Sequence, residues 1–165
     1  MSELTDLYQE MILDHNRNPR NFQELAGANR ILEGFNPLCG DRLKIFIKSD
    51  GPAILEISFL GSGCALSKAS SSLMTIAVKG KSREEVQGLY EKFHAMVTGQ
   101  KKKEDLGKLN VFSGVSEFPV RVKCATLPWH TLLAALEGKD ETVSTEAPEE
   151  ALHSGTGFAD ERGGG

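Results

Sequence analysis

Three cysteines stand in this chain of 165 residues, and each lies beside residue types that suit a metal ion or sulfur chemistry. Cys39 belongs to Asn36-Pro37-Leu38-Cys39-Gly40-Asp41, Cys64 follows Gly61-Ser62-Gly63, and Cys124 lies in Arg121-Val122-Lys123-Cys124-Ala125-Thr126-Leu127. Three thiols plus the Asp41 carboxylate make a four-ligand set of the kind that closes a tetrahedral zinc site. The same set could hold an iron–sulfur cluster, or one of its thiols could receive sulfane sulfur. An odd cysteine count argues against a disulfide framework and for reduced thiols with a chemical role. No Cys-x-x-Cys pair is present, so spacing alone does not choose among these uses.

Local sequence suggests how each ligand is presented. In an extended segment residues i and i+2 point to one side, and Gly40 permits a bent backbone, so Cys39 and Asp41 can converge. Cys64 falls at an expected strand-to-helix junction, where free N–H groups and the helix dipole stabilise a thiolate. Cys124 lies in an expected final helix, four residues before Pro128, which has no N–H to offer the Cys124 carbonyl and should bend or loosen the helix. Lys123 and Arg121 bring positive charge to offset a doubly negative zinc site. His15, His94, His130 and His153 lack metal-ligand spacing and read as surface or satisfied polar residues. Trp129 and Phe93 read as core or interface bulk.

The elements that must hold these groups follow from periodicity. Leu4, Leu7, Tyr8, Met11 and Ile12 mark an amphipathic first helix that ends at Asn16-Arg17-Asn18-Pro19. Residues 29–35 suit a short edge strand. Alternation over 42–49 and 53–60, joined by Asp50-Gly51-Pro52, predicts a hairpin with Leu55, Ile57 and Phe59 on one face. A helix is expected over 65–79. Ser82 and Glu85 form a capping box that opens another over 83–97. Residues 99–114 read as loop with a short helical turn, and Lys101-Lys102-Lys103 as a solvated basic run. The last helix spans 119–136 and is closed by Gly138. Helix, then strands, then helices is an α+β order, giving a small antiparallel sheet of about three strands packed against several helices.

Composition bounds the rest. The chain can bury one core, and its 39% hydrophobic and 25% charged residues are ordinary for a globular domain. Residues 138–165 carry seven acids and two bases, so the net −4 of the chain leaves residues 1–137 at +1. We therefore expect a domain over 1–137 with a disordered acidic tail over 138–165. The body carries no charge bias towards nucleic acid. No apolar run approaches the roughly 20 residues of a membrane span, and no signal-peptide region follows the acidic N-terminus. Cytoplasmic location is expected.

The three cysteine segments, together with Gly61-Ser62-Gly63-Cys64-Ala65-Leu66-Ser67-Lys68-Ala69-Ser70 and the opening Asp14-His15-Asn16-Arg17-Asn18-Pro19-Arg20, closely resemble the IscU/SufU family of iron–sulfur cluster assembly proteins. The likeness covers about residues 1–137 and is to the SufU branch. The IscU branch has a histidine where Lys123 stands, and a Leu-Pro-Pro-Val-Lys motif where this chain has Glu117-Phe118-Pro119-Val120-Arg121. That departure argues against Hsp70-type chaperone docking. The stretch between Cys64 and Cys124, including 99–114, is similar to the SufU insertion.

The resemblance implies zinc bound by Cys39, Asp41, Cys64 and Cys124, with a [2Fe–2S] cluster or iron on the same residues as the alternative. It also implies sulfur-transferase-like acceptance of persulfide sulfur from a SufS-type cysteine desulfurase, for delivery to downstream iron–sulfur assembly machinery. In that mechanism a desulfurase histidine takes a zinc position and frees one cysteine. Cys39 is the expected acceptor because a loop moves more readily than a helix, with Cys124 as second choice.

Overall fold

The computed structural model describes residues 3–100 and 105–146. Helix α1 (Glu3–Arg17) leads to strands β1 (Arg30–Asn36), β2 (Asp41–Asp50) and β3 (Ala53–Ser62). Helices α2 (Ala65–Val78) and α3 (Arg83–Val97), a 3-10 helix (Gly107–Glu117), α4 (Pro119–Leu136) and a two-residue strand β4 (Val143–Ser144) follow. The fold is α+β, with one sheet in the order β3-β2-β1-β4.

The sheet therefore has four strands where three were expected. β1, β2 and β3 pair antiparallel, but β4 runs parallel to β1 through Gly34↔Val143 and Phe35↔Ser144. A two-residue strand carries no alternation to find in sequence. Of residues 138–146, Val143 and Ser144 extend the sheet; residues 147–165 and the run Lys101-Lys102-Lys103 lie outside the described residues.

Strand alternation builds the core and, at its end, the site. On β1 and β2 the alternating inward positions are Leu32, Gly34 and Asn36, then Asp41, Leu43, Ile45 and Ile47, while Phe46 is buried out of that alternation. One face is thus apolar along most of its length and ends in two polar residues, Asn36 and Asp41, paired in register. On β3 a register shift at Lys48/Ser49 pairs Ser49 with Ile54, so Leu55 is 45% exposed and Ile54 fully buried. Simple alternation sets Leu55 on one face with Ile57 and Phe59; the bulge inserts one residue, so that Ile54 joins those two inside and Leu55 turns outward.

Helices α2 and α4 cover the inner face. α4 lies so close to β1 that a Cβ on Gly34 would collide with Thr131 Oγ1. α4 runs unbroken through Pro128, where the sequence suggested bending or loosening. Hydroxyls add bonds to carbonyls of the same turn: Ser70 Oγ donates to Ala125 O at 2.6 Å and Thr131 Oγ1 to Leu127 O at 2.9 Å. Trp129 is fully buried and stacks on Phe93 with ring centroids 4.9 Å apart. The capping box on α3 forms as read, with Ser82 Oγ accepting from Glu85 N.

The 3-10 helix is the larger correction. The stretch 99–114, read as loop with a short helical turn, contributes Leu109 and Phe112 to the core, and Val115 continues the same helix into it. Their spacing of three matches the 3-10 repeat, a signal that Gly107 and Gly114 obscured.

Candidate metal and sulfur centre

Each candidate ligand is delivered by a different local device. Cys39 sits in the turn that joins β1 to β2, where Cys39 N donates to Asn36 O at 3.3 Å. Gly40 follows with φ +71°, a left-handed conformation that favours glycine. Convergence with Asp41 therefore comes from a tight reversal, not from an extended i, i+2 pair. Cys64 is the N-cap of α2, and its Sγ accepts from Ser67 N at 3.4 Å. Cys124 lies one and a half turns into α4, on the side that faces the sheet, and is 2% exposed.

The Asp41 carboxylate is wholly buried and held on both sides. Oδ1 accepts from Cys64 N at 2.7 Å, and Oδ2 accepts from Asn36 Nδ2 at 3.2 Å. Gly63 makes this possible, because a Cβ there would stand 2.7 Å from Asp41 Cα and collide with Oδ1. Cys124 Sγ lies 3.2 Å from Cys39 Sγ, and Cys64 Sγ lies 3.7 Å from Asp41 Oδ2. Ligand atoms of Cys39, Asp41 and Cys124 all fall within 4.8 Å of one another. Cys64 is not in that mutual group; it joins through Asp41.

These separations suit a small divalent ion. Bonds of about 2.0–2.3 Å in a tetrahedron give ligand–ligand edges of roughly 3.3–3.8 Å. The protonation pattern fits too. The hydrogen bond from Cys124, more than any other influence, holds the Cys64 thiol below its ordinary pKa. Cys124 is pushed far up, first by that same bond and then by burial, by Cys39 and by the charge of Asp41. Acid-forming groups thus oppose one another here, and a bound cation would relieve the conflict.

A groove of about 460 Å³ opens onto the three sulfurs, walled by Leu66, Phe118, Pro119 and Val120. Cys39 and Cys64 are half-buried at its floor, while Cys124 lines it with only 2% of its surface exposed.

Two expectations need correction. Lys123 Nζ pairs with Glu146 Oε2 at 2.6 Å, and Arg121 lies over the Phe118 ring at 4.4 Å, so neither cation is committed to the thiols. Nor does sequence reasoning assign any role to Asn36, which touches both Asp41 and Cys124. Its inward place at the strand end was the available signal. Among the described residues no histidine joins the mutual group. His15 Nδ1 bonds Ser72 Oγ at 2.7 Å and His130 Nε2 meets Tyr90 Oη at 3.1 Å, while His153 lies outside the described residues.

Sheet, covering helices and a thiol–carboxylate cluster at the strand ends define an iron–sulfur-assembly type of domain, and comparison agrees. The NifU-like N-terminal domain matches residues 7–125, and the chain belongs to that family. It is 40% identical over 139 residues to the iron–sulfur cluster assembly scaffold protein IscU of Streptococcus pyogenes serotype M1, spanning 83% of this chain and 87% of the relative. It is 40% identical over 133 residues to the zinc-dependent sulfurtransferase SufU of Bacillus subtilis, spanning 79% and 90%. A solved structure of a SUF-system scaffold protein from Fervidobacterium islandicum superposes with a TM-score of 0.74 at 33% identity, covering 82% of this chain and 99% of that one.

Proposed function

We propose that this protein accepts sulfane sulfur from a cysteine desulfurase of the SufS type during iron–sulfur cluster assembly, with Cys39 as acceptor and zinc as the resting occupant of Cys39, Asp41, Cys64 and Cys124. The observation that carries this reading is the meeting of Cys39 and Cys124 sulfurs at 3.2 Å beside a buried carboxylate, at the floor of an apolar groove. When bound, zinc keeps the thiols as thiolates and shields them until a partner docks.

Access favours Cys39 over Cys124 as the nucleophile. Cys39 is half-buried on a turn, Cys124 is enclosed in a helix, and Cys64 Sγ is engaged by the Ser67 N–H. The Cys39 thiolate attacks the terminal sulfur of the partner's persulfide. One S–S bond forms on Cys39 as the partner's S–S bond breaks, and the partner cysteine leaves as a thiolate. The groove walls keep bulk water from the persulfide. Sulfur then passes to downstream assembly machinery, and a reducing cytoplasm suits three free thiols.

Stimulation of a purified desulfurase tests the reading. Protein with one equivalent of zinc is expected to raise turnover severalfold, and Cys39→Ala to abolish that while circular dichroism stays native. Activation that survives the substitution removes Cys39 as acceptor. Since one relative carries the name of a scaffold, the same donors could hold a [2Fe–2S] cluster as cargo. Metal analysis with a visible spectrum separates the two: colourless protein with stoichiometric zinc supports sulfur transfer, and a brown iron–sulfide chromophore supports the scaffold.

A further inference from the structure

Asn36 ends the inward row of β1 and is fully buried, yet every hydrogen-bonding position of its amide is used. Nδ2 donates to Asp41 Oδ2 at 3.2 Å and to Cys124 Sγ at 3.4 Å. Oδ1 accepts from Leu38 N at 3.1 Å and from Thr145 Oγ1 at 3.1 Å. The orientation is dictated, not arbitrary. Leu38 N–H can only donate, so a flipped amide would face one donor with another and turn its oxygen towards the Asp41 carboxylate. Both contacts would be repulsive, and both would be buried.

Three of these partners belong to the β1–β2 turn, to the first residue of β2 or to α4. The fourth arrives from 109 residues away. β4 pairs with β1 through Gly34↔Val143 and Phe35↔Ser144, and Thr145 N donates to Phe35 O at 3.1 Å. That short strap carries the Thr145 hydroxyl to the amide oxygen. Lys123–Glu146 fastens its far end to the helix that bears Cys124.

We infer that Asn36 is a positioning residue of the Cys39, Asp41 and Cys124 centre, and that Thr145, delivered by β4, holds its amide in the orientation that serves the ligands. The inference rests on the reading of this cluster as a metal centre. With Oδ1 of Asp41 taken by Cys64 N and Oδ2 by Asn36, the plane of the carboxylate is set before any ion arrives. Removing partners of this kind from known metal sites lowers affinity by about 10–100-fold.

The test is transfer of zinc from the full-length protein to a chromophoric chelator, followed in wild type, Asn36→Asp, Thr145→Val and Thr145→Ser. Thermal melting of the zinc-free forms runs alongside. Asn36→Asp keeps the acceptors for Leu38 N and Thr145 but replaces the donor with a carboxylate, and zinc loss is expected to quicken about 10–100-fold. Thr145→Val, which leaves Asn36 itself intact, is expected to quicken it severalfold, and Thr145→Ser to restore the wild-type rate. Lowered melting with wild-type zinc exchange in both Asn36→Asp and Thr145→Val would reduce these residues to structural parts and overturn the inference. A Thr145→Ser protein that behaves like Thr145→Val would remove the hydroxyl from it. Wild-type protein that takes up no zinc would sink the metal reading itself, and this inference with it.

Discussion

At the scale of single residues, burial and charge divide three chemically identical thiols. Cys124 is enclosed and its pKa is raised, first by its bond to Cys64; Cys64 is lowered by that same bond. In metal-free protein at pH 8, iodoacetamide should therefore modify Cys39 and Cys64 well before Cys124, as peptide mass spectrometry would read. Early labelling of Cys124 would mean that the helix does not seal it. Gly63 offers a sharper test. Its φ of +139° and the Asp41 atoms beside it exclude any side chain. Gly63→Ala is expected to cost about 2–4 kcal/mol in urea unfolding, from strain and overpacking together, and to leave less than one equivalent of zinc bound. Full stability with full zinc would contradict the geometry drawn around Asp41.

At the scale of elements, legibility followed the strength of the local signal. Helix α3 is readable because Ser82 and Glu85 announce its start and Val86, Tyr90 and Phe93 repeat on one face. Ser82→Ala should lower stability by about 1 kcal/mol and leave zinc stoichiometry unchanged, since the cap lies outside the site. The hairpin strands are readable from alternation, but not the bulge that exchanges Ile54 and Leu55, because one inserted residue leaves composition untouched. β4 escapes because its pairing partner is over a hundred residues distant. The cysteines and Asp41 stand out by type, whereas Asn36 does not: a strand-end asparagine is ordinary until its four partners are seen. Close approach of α4 to β1 is equally invisible in sequence. Gly34→Ala is expected to cost about 1–3 kcal/mol by pushing Thr131 away, and to loosen zinc because the same helix bears Cys124. Unchanged zinc exchange in a destabilised Gly34→Ala protein would show that α4 can shift without moving the sulfur.

At the scale of the molecule, acid acts on the fold at the site and at two histidines outside it, and these can be separated. α1 is tied to α2 through buried His15, which meets Ser72 Oγ; Ser72 Oγ in turn accepts from Arg20 N at 2.8 Å. Burial, then repulsion from Arg20, lowers the His15 pKa below its ordinary value, opposed by Asp14. His130 is exposed at the surface, yet packing of its ring edge-on against Tyr90 at 5.3 Å partly desolvates it and lowers its pKa, with His94 adding repulsion. A histidine with a lowered folded pKa binds fewer protons folded than unfolded. Stability is therefore complete above about pH 6.5 and is lost as pH falls from there towards the folded value. Zinc loss follows the same direction, since thiolates must protonate to release it. Urea unfolding of metal-free protein between pH 7.5 and 5.5 isolates the histidine contribution, and His15→Gln is expected to flatten that slope while lowering stability at pH 7.5. Adding zinc should restore stability most strongly at neutral pH and progressively less in acid. A metal-free wild type whose stability is flat across that range would refute the histidine argument, because protonation of either ring would then cost the folded state nothing.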